Sequence, residues 1–244
     1  MILLLTGCIN PNGMAYTTLS NQEERKTQYV SALRYYLSMT KYPIVFAENS
    51  NTDISNLFRS EIASGRMEFM SFFGNQNKDH GKGYGECEII QYALANSRLI
   101  NSNKDQQIAK ITGRLIVKNL SAIIRWHIFL FSKQTVFCSI NSDLSFPDSR
   151  LIIAPVAFFL EFLKSKEKIN DFKNYYFEHA LCDTIKREKT YPYSPFLLMP
   201  QIEGISGSTG DIYKGIPMSI SFTLKYLKYV IYQRQNFYRL YRHG

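Results

Sequence analysis

Residues Gly81–Asn119 read GKGYGECEIIQYALANSRLINSNKDQQIAKITGRLIVKN. Two segments of this stretch, Gly81–Glu86 and Lys110–Arg114, combine glycine with cationic residues, and a helix-periodic segment lies between them. Glycine allows a backbone to approach a ligand closely, and Lys and Arg supply positive charge for phosphate. Because one helix and one strand join the two loops, both loops can meet at one anionic ligand. The pattern therefore indicates a nucleotide or nucleotide-sugar site, although neither loop has the spacing of a Walker A or dinucleotide-binding motif.

Strands and helices alternate through the first half of the chain. The predicted strands are Ile2–Ile9, Ile44–Phe46, Met67–Phe73 and Ile108–Ile111. The predicted helices follow the capping box Ser20–Glu23, run from Thr52 or Asp53 to Ser64, and run from Tyr84 to Ile100. This order predicts an α/β fold of the Rossmann type, with a mostly parallel sheet flanked by helices.

The loops that follow the four predicted strands are polar and rich in Gly and Asn. They are Gly7–Gly13, Glu48–Asp53, Gly74–Gly85 and Thr112–Arg114. In parallel α/β sheets, ligands bind beyond the carboxyl ends of the strands. We therefore expect the site at this edge, with Lys82 and Arg114 contributing charge.

The second half is less regular. Its predicted strands are Thr135–Ile140 and Arg150–Ile153, and its predicted helices are Phe158–Lys164 and Asp171–Lys186. Gly204–Gly210 is predicted to be a mobile loop that closes over a donor. We expect one domain over 1–244, with a nucleotide-sugar half (1–120), an acceptor half (121–217) and a basic tail (218–244).

Composition limits the function classes. The chain has 244 residues, a net charge of +9 and four cysteines without a C-x-x-C pair. The charge indicates an anionic partner, whereas the cysteine spacing argues against a zinc or redox centre. Leu5–Cys8 resembles a lipoprotein box, but the apolar stretch before it is too short for a signal peptide. We expect a cytoplasmic protein, or one peripheral to the inner face of the cytoplasmic membrane.

The segment after Asp211 contains no acidic residue. As a helix, it is basic, aromatic and amphipathic, which fits the surface of an anionic membrane. The alternative is a terminal helix that docks on the domain and exposes a solvated basic face. Nucleic acid is not expected as a partner, because the sequence has no RRM, KH or helix-turn-helix signature.

Several short motifs occur together in a fixed order. They are Leu5–Gly7, Glu24–Arg25 with Gln28–Tyr29, Val45–Ser50, Gly81–Glu86, Lys110–Arg114, Phe177–His179 and Gly204–Gly210. In these motifs the chain resembles a group of small bacterial glycosyltransferases of surface-polysaccharide biosynthesis (capsule, O-antigen or lipopolysaccharide) with a GT-A-like fold. The resemblance implies a nucleotide-sugar donor bound by the first half and a glycan or glycolipid acceptor bound by the second.

The chain departs from the usual GT-A pattern at one point. Most such enzymes carry Asp-x-Asp after the fourth strand to hold Mg²⁺ or Mn²⁺, whereas this chain has Lys110–Arg114 there, without a carboxylate. The cofactor is therefore left open and no metal ligand is assigned. Lys82, Lys110 and Arg114 are the natural cationic replacements, and Arg114 can grip a phosphate bidentately. The alternative role for Arg114 is a structural ion pair or cap.

By analogy with inverting GT-A enzymes, Glu178 is the candidate base for the acceptor hydroxyl. Asp148 and Arg150 are expected to hold the acceptor or donor sugar, or else to form a turn and a local ion pair after Pro147. The expected catalytic residues are Glu178, Arg114 and Asp148. The expected donor-binding residues are Thr6, Glu48, Asn49, Lys82, Lys110, Arg150 and Ser206.

Two hypotheses from different classes follow. The first is a glycosyltransferase that moves a sugar from a nucleotide-sugar donor to a lipid-linked or cell-surface glycan. The second is a non-catalytic α/β protein that binds membranes or nucleic acid through its basic charge.

Overall fold

The computed structural model describes residues 1–14, 17–102, 105–216 and 219–242. The strands are β1 (Ile2–Gly7), β2 (Ile44–Glu48), β3 (Met67–Ser71), β4 (Gln107–Thr112), β5 (Ile116–Val117), β6 (Val136–Phe137), β7 (Leu151–Pro155), β8 (Tyr193–Ser194), β9 (Ile202–Ile205) and β10 (Ile212–Tyr213). The helices are α1 (Gln22–Met39), α2 (Arg59–Ala63), α3 (Lys82–Asn96), α4 (Arg98–Asn101), α5 (Leu120–Leu130), α6 (Val156–Leu163), α7 (Phe177–Arg187) and α8 (Ile220–Tyr241).

β1 lies inside a seven-stranded sheet with the order β3-β2-β1-β4-β7-β6-β8. Strands β3, β2, β1 and β4 are parallel neighbours. β7 is antiparallel to both β4 and β6, and β8 is parallel to β6. The predicted α/β class, with a mostly parallel sheet between helices, is confirmed.

The residues of β1 divide between two cores, because successive side chains of a strand point to opposite faces. Ile2 and Leu4 belong to the core that α3, α6 and α7 cover. Leu3 and Leu5 belong to the core on the opposite face, which α1 and α5 cover. This two-sided burial explains why β1 is a continuous apolar run.

The chain direction brings several segments to one edge of the sheet. Residues Gly7 and Glu48 are register partners at the carboxyl ends of β1 and β2, and Thr6 pairs with Thr112 of β4. Because β7 runs the opposite way, its beginning lies beside the end of β4, where the Thr112 N–H donates to the Arg150 carbonyl at 3.1 Å. The loop before β7 therefore faces the same edge.

Two predicted helices are interrupted. The predicted helix Tyr84–Ile100 begins at Lys82 and ends at Asn96, and α4 follows as a separate element. Ser97 breaks it with extended backbone, where its hydroxyl donates to Glu68 of β3 at 2.6 Å. The predicted helix Asp171–Lys186 begins with a 3₁₀ turn at Asp171–Lys173, and α7 starts only at Phe177.

Other helix ends are shifted as well. The cap of α1 is Asn21 rather than Ser20, and its side chain accepts from the Glu24 N–H. The predicted helix up to Ser64 begins as a 3₁₀ segment, Ser55–Phe58, before the short helix α2. These shifts do not change the order of the elements.

A second, three-stranded sheet has the order β10-β9-β5. β9 and β10 form an antiparallel hairpin, and its connecting residues 206–211 contain most of the predicted Gly204–Gly210 loop. β9 also pairs with β5 just after Arg114. The hairpin is therefore held over the carboxyl edge of the main sheet.

The predicted basic C-terminal helix is present as α8. Its buried side is formed by Val230, Gln233 and Phe237, and the Phe237 ring contacts the Tyr193 ring at 4.6 Å between centroids. Two apolar residues of the helix, Leu224 and Ile231, are each 57% exposed. Among the described helices, none is both long and apolar enough to cross a membrane.

Candidate functional site

A cavity of about 450 Å³ lies at the carboxyl ends of β1, β2 and β4, where the sequence predicted a site. We call it the first cavity. Its lining includes five predicted site residues together with Arg114, which also borders a second cavity of about 490 Å³. The five are Thr6, Asn49, Lys82, Lys110 and Glu178. The second cavity is also lined by Asp148, Arg150 and Ser206.

A chain of polar contacts forms the floor of the first cavity. The ammonium group of Lys110 lies 2.6 Å from Glu86 Oε1, which also accepts a hydrogen bond from Thr6 Oγ1 at 2.7 Å. Lys110 donates further to the Ser149 carbonyl at 2.9 Å. Because Lys110 is only 1% exposed and already paired, it contributes less free charge to a ligand than the sequence suggested.

Glu178 lies in the first turn of α7, where both cavities include it in their lining. Ser149 Oγ donates to Glu178 Oε1 at 2.6 Å. Burial raises the pKa of the Glu178 carboxyl above its usual value, although the Ser149 hydrogen bond and Lys110 oppose this shift. A carboxylate with a raised pKa at such a junction can accept a proton from a hydroxyl group.

Arg114 stands between the two cavities, and its guanidinium is fixed by the protein. Nη1 donates to Gln28 Oε1 at 3.1 Å and to the Ile205 carbonyl at 2.9 Å. Buried Nε donates to no residue that the structure describes. A buried donor without a partner lowers the stability of the fold. A bound anion could accept a hydrogen bond from the Nε–H of Arg114 and remove this penalty.

Lys82 is the first residue of α3 and faces the β9–β10 hairpin. Its ammonium donates to Ser208 Oγ. Burial lowers the pKa of Lys82, although Asp171 and Glu178 oppose the shift. The hairpin is further tied down by Thr18, whose N–H donates to the Gly207 carbonyl at 3.1 Å. The loop that we predicted as a mobile lid therefore lies across the cavity in this structure.

Glycines of the Gly81–Glu86 loop lie against polar side chains of the protein. A Cβ at Gly81 or Gly83 would meet the Asp171 carboxylate, and a Cβ at Gly85 would meet the Asn75 side chain. Asp171 Oδ2 accepts from the Gly83 N–H at 3.2 Å, at the N-terminus of α3. The glycines thus make room for the protein's own polar side chains, although Gly83 and Gly85 still line the cavity.

Asp148 and Arg150 form the local ion pair that was the alternative prediction, with Arg150 Nη2 2.6 Å from Asp148 Oδ2. They also line the second cavity, and the Arg150 guanidinium lies 4.6 Å from the centre of the Tyr213 ring. The pair therefore forms a fixed wall. This geometry is compatible with both predictions for Asp148 and Arg150, namely contact with a sugar and a local ion pair.

The two residues at the end of β2 differ. Glu48 is fully buried and lies outside the lining of both cavities, and its carboxylate accepts from Ser50, Thr52 and Ser71. Its evident role is to fix the loop after β2. Asn49 lines the first cavity, and its buried Oδ1 accepts from no residue in the described part of the chain. That oxygen can accept from a ligand.

Sequence reasoning missed three residues that shape the first cavity. Arg25 donates through Nε to the Cys8 carbonyl at 2.9 Å and holds the loop after β1. Ser149 orients Glu178, and Asp171 caps α3. Arg25 occurs in a quoted motif, which could have suggested it, whereas Ser149 and Asp171 carry no local signal.

Ligands for a metal are not grouped in this cleft. Among residues 1–14, 17–102, 105–216 and 219–242, no cluster of three or more His, Cys, Asp or Glu side chains is placed to hold an ion. Glu86 is occupied by Lys110, and Asp171 by the N-terminus of α3. The donor set therefore does not fit the metal of the usual GT-A pattern.

No protein-family model and no curated protein matches the chain. Among solved structures, one similar fold is a protein from Desulfovibrio desulfuricans assigned as a nucleotide-diphospho-sugar transferase, with 9% identity, coverage of 80% of this chain and 79% of that chain, and a TM-score of 0.46. A cytidylyltransferase from Leptospira borgpetersenii shares 12% identity over 80% of this chain and 74% of that chain, with a TM-score of 0.41.

A third similar structure, HddC from Yersinia pseudotuberculosis, shares 12% identity over 83% of this chain and 92% of that chain, with a TM-score of 0.38. Identities and TM-scores this low carry no functional argument. Fold and site together define an α/β protein with a two-part cleft at the carboxyl edge of its sheet, which Arg114 and Glu178 line on both sides.

Proposed function

We propose that the protein is a glycosyltransferase that moves a sugar from a nucleotide-sugar donor to a lipid-linked or cell-surface glycan. The observation that carries this proposal is the position of Glu178 at the junction of two cavities, one of them lined by Lys82 and Arg114. Direct transfer of a sugar to a hydroxyl group uses two adjoining subsites, with a proton acceptor for the hydroxyl between them.

The first cavity suits the donor. Its volume of about 450 Å³ lies in the usual range for small-ligand sites. In our proposal the diphosphate lies against Lys82 and Arg114, which stabilise the negative charge that develops as the nucleotide leaves. The unpartnered Asn49 Oδ1 would accept a hydrogen bond from the base or ribose.

The second cavity suits the acceptor. Glu178 would take the proton of the acceptor hydroxyl, whose oxygen then bonds to the anomeric carbon as the bond to the nucleotide diphosphate breaks. Ser149 orients the carboxylate for this step, and Asp148 with Arg150 forms another part of the cavity wall. The proposed role of Thr6 is indirect, because its hydroxyl donates to Glu86.

Nucleotidyl transfer is the closest alternative chemistry for such a cleft. Its nucleophile is a phosphate oxygen, which is already ionised at neutral pH and needs no base. Glu178, half-buried with a raised pKa, is instead suited to a hydroxyl nucleophile. This difference favours sugar transfer.

The basic face of α8 is proposed to hold the protein at the cytoplasmic face of an anionic membrane. Lys225, Lys228 and Arg239 are exposed, and exposed apolar side chains lie among them, such as Leu224 and Ile231. Such a mixed surface suits lipid headgroups and their acyl boundary. A membrane-bound acceptor would then lie close to the cleft.

The test is thermal stability against UDP, GDP, CDP, dTDP and CMP, their sugars and the nucleoside triphosphates, with and without Mn²⁺. A ligand at 100 times its Kd stabilises the native state by about 2.7 kcal/mol, which corresponds to roughly 5–10 °C for a chain of this size. We expect such a shift with one diphosphate nucleotide and its sugar. Stabilisation by a triphosphate alone would favour nucleotidyl transfer, and no shift at all would favour a non-catalytic binding protein.

A further inference from the structure

A third cavity, of about 410 Å³, adjoins the second one and extends to α8. The two share Ser139, Asp148, Arg150 and Tyr213 in their lining. Since the second cavity in turn shares Arg114 and Glu178 with the first, the three form one groove. It runs from the end of β1, past Glu178, to the inner side of α8.

The α8 wall of the third cavity is aromatic and rigid. The Tyr226 hydroxyl donates to the Phe196 carbonyl at 2.9 Å, and the Tyr229 hydroxyl donates to the Ile140 carbonyl at 3.3 Å. Gln233 donates to the Asn141 carbonyl at 3.2 Å. These polar groups are therefore bonded to the protein backbone, which leaves ring faces and aliphatic surface for the groove.

The remaining wall is largely aliphatic. Its aliphatic part is formed by Pro195, Met199, Pro200, Ile202, Ile212 and Ile216, and the polar side chains of Gln201 and Lys214 also line the cavity. Ile212 is 66% exposed and Ile216 is 48% exposed. Exposed apolar groups that line a groove indicate a binding surface, because water is a poor environment for them.

We infer that the third cavity binds the apolar aglycone of the acceptor, so that the substrate is a lipid-linked glycan rather than a free one. This inference rests on the proposed function. The accepting sugar would lie in the second cavity beside Glu178, and its lipid chain would continue past the Arg150–Tyr213 pair toward α8. A glycan in the third cavity would need polar groups directed at its hydroxyls. The hydroxyls of Tyr226 and Tyr229 are turned into the protein, and the Arg150 guanidinium is already paired with Asp148.

The orientation of the groove agrees with this choice. It ends at α8, whose outer side carries the exposed cations Lys225 and Lys228. A lipid that leaves the third cavity therefore reaches the surface proposed to face the anionic membrane. A free glycan has no apolar chain that would favour binding at this end of the groove.

The experiment uses methyl, butyl and octyl β-glucoside as probes, each below any micelle-forming concentration, with isoleucine methyl groups of the full chain observed by NMR. We expect saturable shifts at Ile202, Ile212 and Ile216 that strengthen with alkyl length, by up to about fourfold in affinity for each buried methylene. Ile128 of α5, 55% exposed and outside the groove, should not shift.

A paired variant and a matched control complete the test. Ile212→Asp with Ile216→Asp should weaken octyl glucoside binding at least tenfold. Ile128→Asp with Leu240→Asp changes exposed apolar residues outside the groove and should leave binding within twofold. Equal affinity for methyl and octyl glucoside, shifts elsewhere, or equal loss in both pairs would overturn the inference.

The nucleotide panel is run on the same proteins. If nucleotides stabilise the wild type and the alkyl probes do not bind the third cavity, the lipid inference fails and the donor site stands. If no nucleotide binds, the proposed function fails whatever the alkyl probes show.

Discussion

The carboxyl group of Glu178 is placed where its ionisation destabilises the folded protein, since burial raises its pKa above the ordinary 4.5. Below pH 4.5 the group is protonated in both the folded and the unfolded chain. Between 4.5 and the raised pKa, the folded chain keeps a proton that the unfolded chain has released. The free energy of unfolding therefore falls as the pH rises through this interval.

Glu178→Gln should remove this pH-dependent loss. At about pH 8 we expect the variant to be more stable than the wild type by on the order of 1 kcal/mol, with the difference disappearing near pH 4. Urea unfolding at the two pH values measures it. Glu23→Gln, at a side chain that is 77% exposed, is the control. An equal gain at both pH values would show that the effect is not due to ionisation.

The same substitution separates binding from chemistry. Glu178→Gln keeps the shape of the cleft and should bind nucleotide as the wild type does, while sugar transfer falls by roughly 10²–10⁴-fold, the usual contribution of a general base. Ser149→Ala, which removes the hydrogen bond to Glu178, should reduce transfer less. Normal transfer by Glu178→Gln would exclude Glu178 as the base.

For individual residues, the sequence predicts which side chains line the cleft better than it predicts their ion pairs and hydrogen bonds. Lys110 and Arg114 were predicted as cations for a diphosphate, and both line the first cavity. The ion pair of Lys110 with Glu86 was not predictable, because the two side chains meet only through the packing of α3 on the sheet. Glu48 was expected at the ligand. Its carboxylate lies at the buried end of β2 and instead accepts hydrogen bonds from the loop that follows this strand.

Among the elements, the N-terminus of α3 depends most closely on one residue type. Gly81 has φ 87° and ψ −169°, a conformation that side-chain-bearing residues rarely adopt. A Cβ there would also meet the carboxylate of Asp171. The conformation of Gly81 therefore positions the start of α3 and the Lys82 side chain together with the capping carboxylate of Asp171.

Gly81→Ala should lower the free energy of unfolding by more than the roughly 1–3 kcal/mol of backbone strain alone, because Asp171 must also move. It should weaken nucleotide stabilisation as well, through displacement of Lys82. Gly65→Ala is the matched control, since Gly65 also has positive φ, of 71°, but open space where a Cβ would lie. Similar losses in both variants, measured by urea unfolding, would show that Asp171 is not critical.

Elements with strong periodicity were predicted well, and their interruptions were not. The four parallel strands follow from continuous apolar runs, which local sequence records directly. The break at Ser97 depends on Glu68 of a neighbouring strand, and the late start of α7 follows a left-handed Asn174. Such causes lie in tertiary contacts or in single backbone conformations, so the periodicity of the segment does not reveal them.

Over the whole molecule, positive charge and exposed apolar groups coincide on α8. The double substitution Lys225→Glu with Lys228→Glu should weaken binding to vesicles of phosphatidylcholine and phosphatidylglycerol at least tenfold, since each cation near such a surface contributes about 1 kcal/mol. Lys26→Glu with Lys41→Glu changes the net charge equally and should have a smaller effect. Co-sedimentation measures both, and equal losses would contradict a specific role for α8.

Some features of the whole molecule cannot be predicted from local sequence patterns. Charge and aromatic content predicted a basic C-terminal helix, and it is present. Its docked side and the groove beneath it required the positions of β6, β8 and the β9–β10 hairpin, which are short elements with weak sequence signals. The junction of the cavities at Glu178 likewise arises from chain topology, because β7 runs antiparallel to its neighbour β4.

The most direct test of the central claim is a crystal structure of the protein with the nucleotide diphosphate that stabilises it best. The proposal requires the diphosphate to lie in the first cavity within hydrogen-bond distance of Lys82 and Arg114, with its terminal phosphate directed toward Glu178. A nucleotide bound outside this cavity, or in it with the base rather than the diphosphate next to Glu178, would contradict the account.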